Sequence, residues 1–246
     1  MAAGFGRPGD AVFKGRNDPV TEVDRRSELA ITTLLAAHRP DDGILAEEGT
    51  ATLGRERRWI VDPLDGTVNF IHGLPVVSVS VALWDGDRPL AGVVFDPIND
   101  ELFAAATGDG ATLNCEPIAV STVPDLAGSL VITGFPYDHH EYADVYVATL
   151  GAVLRRVNGI RRFGSAALDL CYVACGRVDA SWEFRLKPWD IAAGLVILAE
   201  AGGTATDPFG APMTPDRPDL VTSNGAIHES LREIVAETYP RHLRGG

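Results

Sequence analysis

The run Trp59-Ile60-Val61-Asp62-Pro63-Leu64-Asp65-Gly66-Thr67-Val68-Asn69-Phe70 sets a short apolar strand directly against two aspartates separated by two residues. Pro63 fixes one backbone angle between them and Gly66 permits a tight turn. Such a turn can aim both carboxylates, and the Leu64 carbonyl, at one point. Hard cations such as Mg2+ take oxygen ligands in that arrangement. The turn also frees the amides of Gly66 and Thr67, which suit a phosphate as a helix N-terminus does. Asp65-Gly66 alone reads as a plain turn; the string from Asp62 to Phe70 carries more than that.

Three other acidic segments surround it in the sequence. Glu47-Glu48-Gly49 lies shortly before the strand, and two adjacent carboxylates are commonly a solvated pair. Trp189-Asp190 opens a helix expected from Asp190 to Ala201, where Asp190 reads as an N-cap or as a rigidly held ligand. Asp18-Pro19-Val20-Thr21-Glu22-Val23-Asp24 precedes the first helix, and Asp24 reads as a cap or as part of the site.

Hydrophobic spacing gives the frame. A helix is expected from Arg25 to His38, with Ala30, Leu34 and Ala37 on its apolar face beside Ile31 and Leu35, and Pro40 ending it. Val76 to Trp84 alternates, with Val77, Val79, Val81 and Leu83 on one face and Ser78, Ser80 and Ala82 on the other. Turns then lead to strands at Leu90 to Phe95 and Glu101 to Ala106, which makes an antiparallel meander. Beyond about residue 125 strands alternate with helices. The strands are Leu130 to Thr133, Ile160 to Phe163 and Val178 to Phe184; the helices are Tyr142 to Leu154, Ser165 to Cys175 and Asp190 to Ala201. The expected division is an α+β half over 1–125, which carries the metal-binding carboxylates, and an α/β half over 126–246, which completes the site.

The composition is ordinary for a soluble globular protein. Of 246 residues, 46% are hydrophobic and 22% charged, and 34 acidic against 21 basic groups give a net charge of −13. That balance disfavours nucleic acid as a partner and suits a chain that gathers carboxylates around cations. The apolar run at 191–201 is too short to span a bilayer, so no membrane role is expected. The first ten residues lack the pattern of a secretory signal. Three cysteines, Cys115, Cys171 and Cys175, are too few for a disulfide framework and point to a reducing, cytoplasmic compartment. Cys171 and Cys175 read as core residues, His72 as structural, and His139-His140 as a solvated loop pair.

The order and spacing of the acidic segments resemble the inositol monophosphatase family. DPLDGTVNF (62–70) resembles its signature, and DPVTEVD (18–24), AEEG (46–49) and WDIAAGLVILAEAGG (189–203) resemble its other motifs in the same order. GVVFDPINDELFAA (92–105), TGFPYD (133–138) and TSNGAIHESL (222–231) match weaker ones. The resemblance runs from about residue 12 to the C-terminus. It implies a layered α-β-α-β-α sandwich of the inositol monophosphatase and fructose-1,6-bisphosphatase type. It implies two to three Mg2+ per site. Glu47, Asp62 and the Leu64 carbonyl would hold one, Asp62, Asp65 and Asp190 a second, and a looser third would lie near Glu47 through water. Thr67, hydrogen-bonded to Asp24, would orient the attacking water and take its proton, without a covalent enzyme intermediate. Catalytic roles thus fall to Asp24, Thr67 and Glu47.

Substrate would meet Asp65, Gly66, Thr67 and Asp190 at its phosphate, and Ser165, Ala166 and Glu183 at its alcohol portion. For Glu183 an exposed strand-end charge is the competing reading. Lys14 occupies the place of a loop lysine near the metals, in a shorter loop. Only Gly-rich residues 1–13 stand where the family has a leading helix. The resemblance further implies Li+ inhibition, a homodimer and a small phosphate monoester as partner. Inositol-1-phosphate is the first choice of substrate, with histidinol phosphate and fructose 1,6-bisphosphate as alternatives. A reading of another class is a regulatory, protein-binding member of the same fold; retention of the metal carboxylates favours the enzyme.

Overall fold

The computed structural model describes residues 5–6, 12–13, 19–54, 56–137 and 139–239. Lys14 lies outside them, as do most of residues 1–13. Two short strands, β1 (Val12–Phe13) and β2 (Pro19–Val20), pair antiparallel and lead into helix α1 (Glu22–His38). Eight strands then form one mixed sheet. They are β3 (Gly43–Ala46), β4 (Ala51–Thr52), β5 (Arg57–Asp65), β6 (Ser78–Asp85), β7 (Arg88–Asp96), β8 (Glu101–Ala106), β9 (Gly110–Leu113) and β10 (Glu116–Pro117), and α2 (Thr67–His72) sits between β5 and β6. Their order is β10-β9-β8-β7-β6-β5-β3-β4, antiparallel except for β3 beside β5. The meander expected across residues 76–106 is β6-β7-β8.

The second sheet is also mixed, in the order β12-β11-β13-β15-β14. Its strands are β11 (Leu130–Thr133), β12 (Gly159–Arg161), β13 (Ala180–Glu183), β14 (Thr204–Thr206) and β15 (Leu220–Ser223). Helices α3 (Ala143–Leu154), α4 (Ala166–Ala174), α5 (Pro188–Glu200) and α6 (His228–Thr238) complete the described chain. The layers run α1, first sheet, α4 with α5, second sheet, α3 with α6. The central layer explains the sequence of α5. Every residue from Ile191 to Leu198 is buried, because a helix covered on both sides must be apolar all round. Ile60, Trp84 and Phe103 of the first sheet share one core with Leu168, Ile197 and Leu220, so packing is continuous across residue 125. Among the described residues no helix is long and apolar enough to cross a membrane.

On two elements the buried face is the more polar one, and on α1 this reverses the expected apolar face. On β6 the buried set is Ser78, Ser80, Ala82 and Trp84, whereas Val79, Val81 and Leu83 are half-buried. The close approach of α5 requires small side chains there, and Ser80 satisfies its hydroxyl on the Trp189 carbonyl at 3.3 Å. On α1, Ala30, Leu34 and Ala37 point outward, and Asp24, Glu28 and Thr32 are buried with Ile31 and Leu35 beside them. The inward face of this helix is polar because it serves the site. Helix α1 also begins earlier than expected, capped by Thr21, so Asp24 lies within its first turn.

Candidate active site

Strand β5 does not stop at Asp62. It continues to Asp65, with a register shift against β6 between those two residues. Pro63 has no N–H to give to the ladder, and an irregularity there turns successive side chains out of the ordinary alternation. Asp62 and Leu64 are buried, and the Leu64 N–H donates to Asp62 Oδ1 at 3.0 Å. Gly66 then adopts φ +83° at the start of α2, where a Cβ would come within 2.8 Å of the Val76 carbonyl. Asn69 secures the other end of the signature by donating to the Val76 and Phe163 carbonyls at 2.9 and 2.8 Å.

Glu47, Asp62, Leu64, Asp65, Gly66, Thr67, Ser165, Ala166, Glu183 and Asp190 all line a single pocket of about 690 Å3. Asp24 lies beneath it, fully buried. Asp24 Oδ1 accepts from Thr67 Oγ1 at 3.1 Å, and Oδ2 accepts from the Thr21 amide and hydroxyl at 2.9 and 2.5 Å. The Thr67 hydroxyl is also 3.0 Å from the Leu64 carbonyl, so its single proton has two acceptors.

Asp190 is not the N-cap expected of it. It occupies the third position of α5, and its Oδ2 accepts from the Lys187 amide at 2.7 Å. Pro188 starts the helix two residues earlier and leaves one Asp190 oxygen clear of that bond. Asp65 has a similar arrangement. Its Oδ2 accepts from Ser165 Oγ at 2.6 Å and the Ala167 amide at 2.9 Å, which joins the first sheet to the start of α4. Ser165, expected at the substrate's alcohol, lines the pocket with its hydroxyl committed to Asp65. Glu183 is 5% exposed, which removes the exposed-charge alternative. It packs over Gly134, where any Cβ would lie 1.9 Å from Glu183 Oε2.

The electrostatics of these acids share a cause. Burial pushes Asp62 well above the usual carboxylate range, and Glu47, Asp65 and Asp190 push it further. Burial raises Asp65 against the opposing hydrogen bonds from Ser165 and backbone amides. Burial carries Asp190 to about 8. Burial, then Asp65, carries Glu183 to about 8. Burial raises Asp24 as well. Buried carboxylates that repel one another favour protonation or a cation among them.

The donor set fits Mg2+. It consists of carboxylate oxygens and a backbone carbonyl, with no nitrogen or sulfur. Among the described residues no group of three or more His, Cys, Asp or Glu side chains is gathered closely enough to hold a metal ion by itself. An open arrangement is what Mg2+ accepts, since it commonly takes one or two carboxylates and completes its octahedron with water and substrate oxygens.

The sequence reading missed several residues that build the site. Glu28 and Ser27 of α1 hold the Glu47 turn and the Pro63 carbonyl. Asp169 lies buried against Glu183, and no other group among the described residues donates to its oxygens or to Glu183 Oε1, so the two carboxyl groups satisfy each other only by holding a proton between them. Burial, then Glu183, raises Asp169 well above its ordinary range. Arg162 and Lys187 add positive charge to the pocket wall. Glu28 was legible as a second acid four residues from Asp24, on the same helical face.

A family model described as the inositol monophosphatase family matches residues 3–242. An inositol-1-monophosphatase from Synechocystis sp. is 45% identical over 229 residues, 92% of this chain and 79% of that protein. A Nus factor SuhB from Pasteurella multocida is 44% identical over 211 residues, 84% of this chain and 79% of that protein. The solved structure of the Thermotoga maritima IMPase TM1415 superposes with a TM-score of 0.89 at 39% identity, covering 96% of this chain and 91% of that one. A more distant structure, an IMPase/NADP phosphatase complexed with Mg2+ and phosphate, matches with a TM-score of 0.81 at 25% identity over 91% of this chain and 85% of that one.

Proposed function

Since this chain belongs to the inositol monophosphatase family, we propose that it hydrolyses small phosphate monoesters with Mg2+, inositol-1-phosphate first among them. The observation that carries this reading is the meeting of Glu47, Asp62, Asp65 and Asp190 in one pocket, which Thr67, hydrogen-bonded to Asp24, also lines. Glu47, Asp62 and the Leu64 carbonyl would hold one Mg2+, and Asp62, Asp65 and Asp190 another, with a looser third near Glu47. When bound, Mg2+ supplies Lewis-acid chemistry that neutralises developing oxygen charge and eases deprotonation of the attacking water.

The chain's own groups do the rest. Thr67 Oγ1 orients the water and accepts its proton as it passes its own to Asp24 Oδ1. The raised basicity of Asp24 helps it receive that proton, and Thr21 keeps the carboxylate in register. The Gly66 and Thr67 amides face the phosphate. Glu183 and Ala166 face the alcohol, where a Glu183 carboxylate oxygen would accept from a ring hydroxyl. Ser165 acts on substrate through Asp65. No side chain is assigned as a covalent nucleophile.

The 1–125 half supplies most of the carboxylates and the 126–246 half closes the site. Inhibition by Li+, a homodimer and a cytoplasmic location belong to the same reading, and histidinol phosphate and fructose 1,6-bisphosphate are its competing substrates. Relatives named Nus factor SuhB support a second reading, a regulatory protein-binding role on the same fold. Phosphate release from inositol-1-phosphate with and without Mg2+ separates the two. Turnover that EDTA abolishes supports the enzyme, and inertness across monoesters at saturating Mg2+ supports the regulator.

A further inference from the structure

Helix α1 places three polar side chains, Asp24, Ser27 and Glu28, on one face, because residues three and four apart stack on a helix. Each engages a different segment of the site. Asp24 receives Thr67. Ser27 Oγ donates to the Pro63 carbonyl at 2.9 Å, inside the Asp62–Asp65 segment. Glu28 Oε2 accepts from the Glu48 amide at 2.7 Å, and Oε1 accepts from the Thr50 amide and hydroxyl at 3.0 and 2.6 Å. Glu28 is 5% exposed, and among the described residues it forms no ion pair with a basic side chain. A buried carboxylate without a counter-charge is costly unless hydrogen bonds replace its water, and here three donors from a single turn do so.

That turn carries Glu47. Its amide donates to the Val61 carbonyl at 3.2 Å, beside Asp62 on β5, and the next amide belongs to Glu28. The Ala46 amide closes the turn on the Thr50 carbonyl at 2.8 Å. Glu47 is thereby held between the strand that bears Asp62 and the helix that bears Asp24.

We propose that Glu28 is a positioning residue that fixes the Glu47 carboxylate relative to Asp62, and so sets the affinity of the cation the two share. This rests on the reading of Glu47 as a metal ligand. Groups that orient a ligand without touching the metal commonly change affinity by about 10–100-fold when removed. Glu28→Gln replaces one acceptor oxygen with an NH2 facing N–H donors, which frees the turn while keeping the volume. Thr50→Ala removes one of the three bonds, and Thr50→Ser keeps all three.

The experiment uses the full chain and reads three quantities: amide exchange of the 46–51 segment in EDTA, Mg2+ affinity by calorimetry, and the Mg2+ dependence of phosphate release. For Glu28→Gln the 46–51 amides should exchange at least about 10-fold faster and Mg2+ should bind about 10–100-fold more weakly. Excess Mg2+ should restore most of kcat, with little change in substrate KM. Thr50→Ala should shift Mg2+ affinity a few-fold in the same direction, and Thr50→Ser should restore it. If Glu28→Gln does not fold, Thr50→Ala and Thr50→Ser decide. Unchanged Mg2+ affinity in variants whose turn exchanges faster overturns the proposal, as does a loss of kcat that Mg2+ does not restore. If the unaltered chain binds no Mg2+, the metal reading fails and this proposal with it. If it binds and the variants bind equally well, only the positioning role fails.

Discussion

Chelating the divalent cation should make the stability of this protein fall as pH rises from about 4 to about 8. Asp190 is carried from its ordinary 3.8 to about 8, and Glu183 from 4.5 to about 8, first by burial and then by neighbouring carboxylates. Asp62, Asp65 and Asp169 are raised in the same direction. A group whose folded pKa exceeds its unfolded value binds its proton more tightly in the folded state. Its contribution is therefore complete below the unfolded pKa and is lost as pH climbs through the folded one. At about 1.4 kcal/mol per pH unit, full ionisation of Asp190 alone would cost on the order of 6 kcal/mol, comparable with the whole stability of many domains.

Water entry and side-chain movement relieve most of that cost. A residual of about 2 kcal/mol still moves the Tm of a chain this size by about 4–8 °C. His228, pushed below its ordinary 6.5 chiefly by burial, pulls the other way in the lower part of that range; the Glu101–Arg177 pair does so only below about pH 4.5, and because it lies near solvent its share is small. Mg2+ should reverse the trend, because its ligands must be deprotonated and it binds better at high pH. At 100 times its Kd it adds about 2.7 kcal/mol. The assay is calorimetric Tm at pH 5, 6.5 and 8, in EDTA and in excess Mg2+. The expected result is a Tm in EDTA that drops across the series and a Mg2+ increment that grows with pH. A Tm in EDTA that is level or rises from pH 5 to 8, or an Mg2+ increment equal at all three, would refute the reasoning.

Asp62→Asn should lower kcat by at least about 10³ while raising the Tm in EDTA, since it removes a mutually repelled buried charge; a lower Tm in EDTA would contradict the repulsion. Thr67→Ala and Asp24→Asn should each cost about 10²–10⁴ in kcat with little change in KM, the signature of a water-orienting relay, and steady-state kinetics showing a change in KM alone would remove that role. Glu183→Gln should weaken polyol phosphates by about 1–3 kcal/mol more than an aryl phosphate in kcat/KM, and equal losses would make Glu183 structural. Gly134→Ala should follow Glu183→Gln on the same two substrates, because its Cβ would stand 1.9 Å from the Glu183 carboxylate; polyol turnover at the original level would count against that contact.

The sheet-forming meander and the helices α3, α4 and α5 were legible because periodicity reports burial wherever packing partners are apolar. Reading failed where the burial is polar. On α1, Leu29 and Leu34 are more than half exposed because the inward face is given to Asp24, Glu28 and Thr32, and a rule that sends leucine inward chooses the wrong side. On β6 the serines turn toward α5 for want of space. Helix α6 and strand β15 carried a motif but no assigned element, although Leu231, Ile234 and Val235, on the buried face of α6, repeat at helical spacing. The acids of the site were legible as motifs, whereas their support was not. Asp169 looks like any acid in an apolar helix until its place near Glu183 is known, and Asp190 looks like a cap until Pro188 is seen to start the helix.

The central claim is that the four pocket carboxylates serve Mg2+-dependent phosphate-ester hydrolysis. The most direct test is inorganic phosphate release from inositol-1-phosphate, histidinol phosphate, fructose 1,6-bisphosphate and an aryl phosphate, with the unaltered chain and Asp62→Asn side by side in Mg2+ and in EDTA. The account predicts turnover in Mg2+ with inositol-1-phosphate preferred, none in EDTA, and near-background release by Asp62→Asn. Turnover that persists in EDTA, or that Asp62→Asn retains in full, would contradict it.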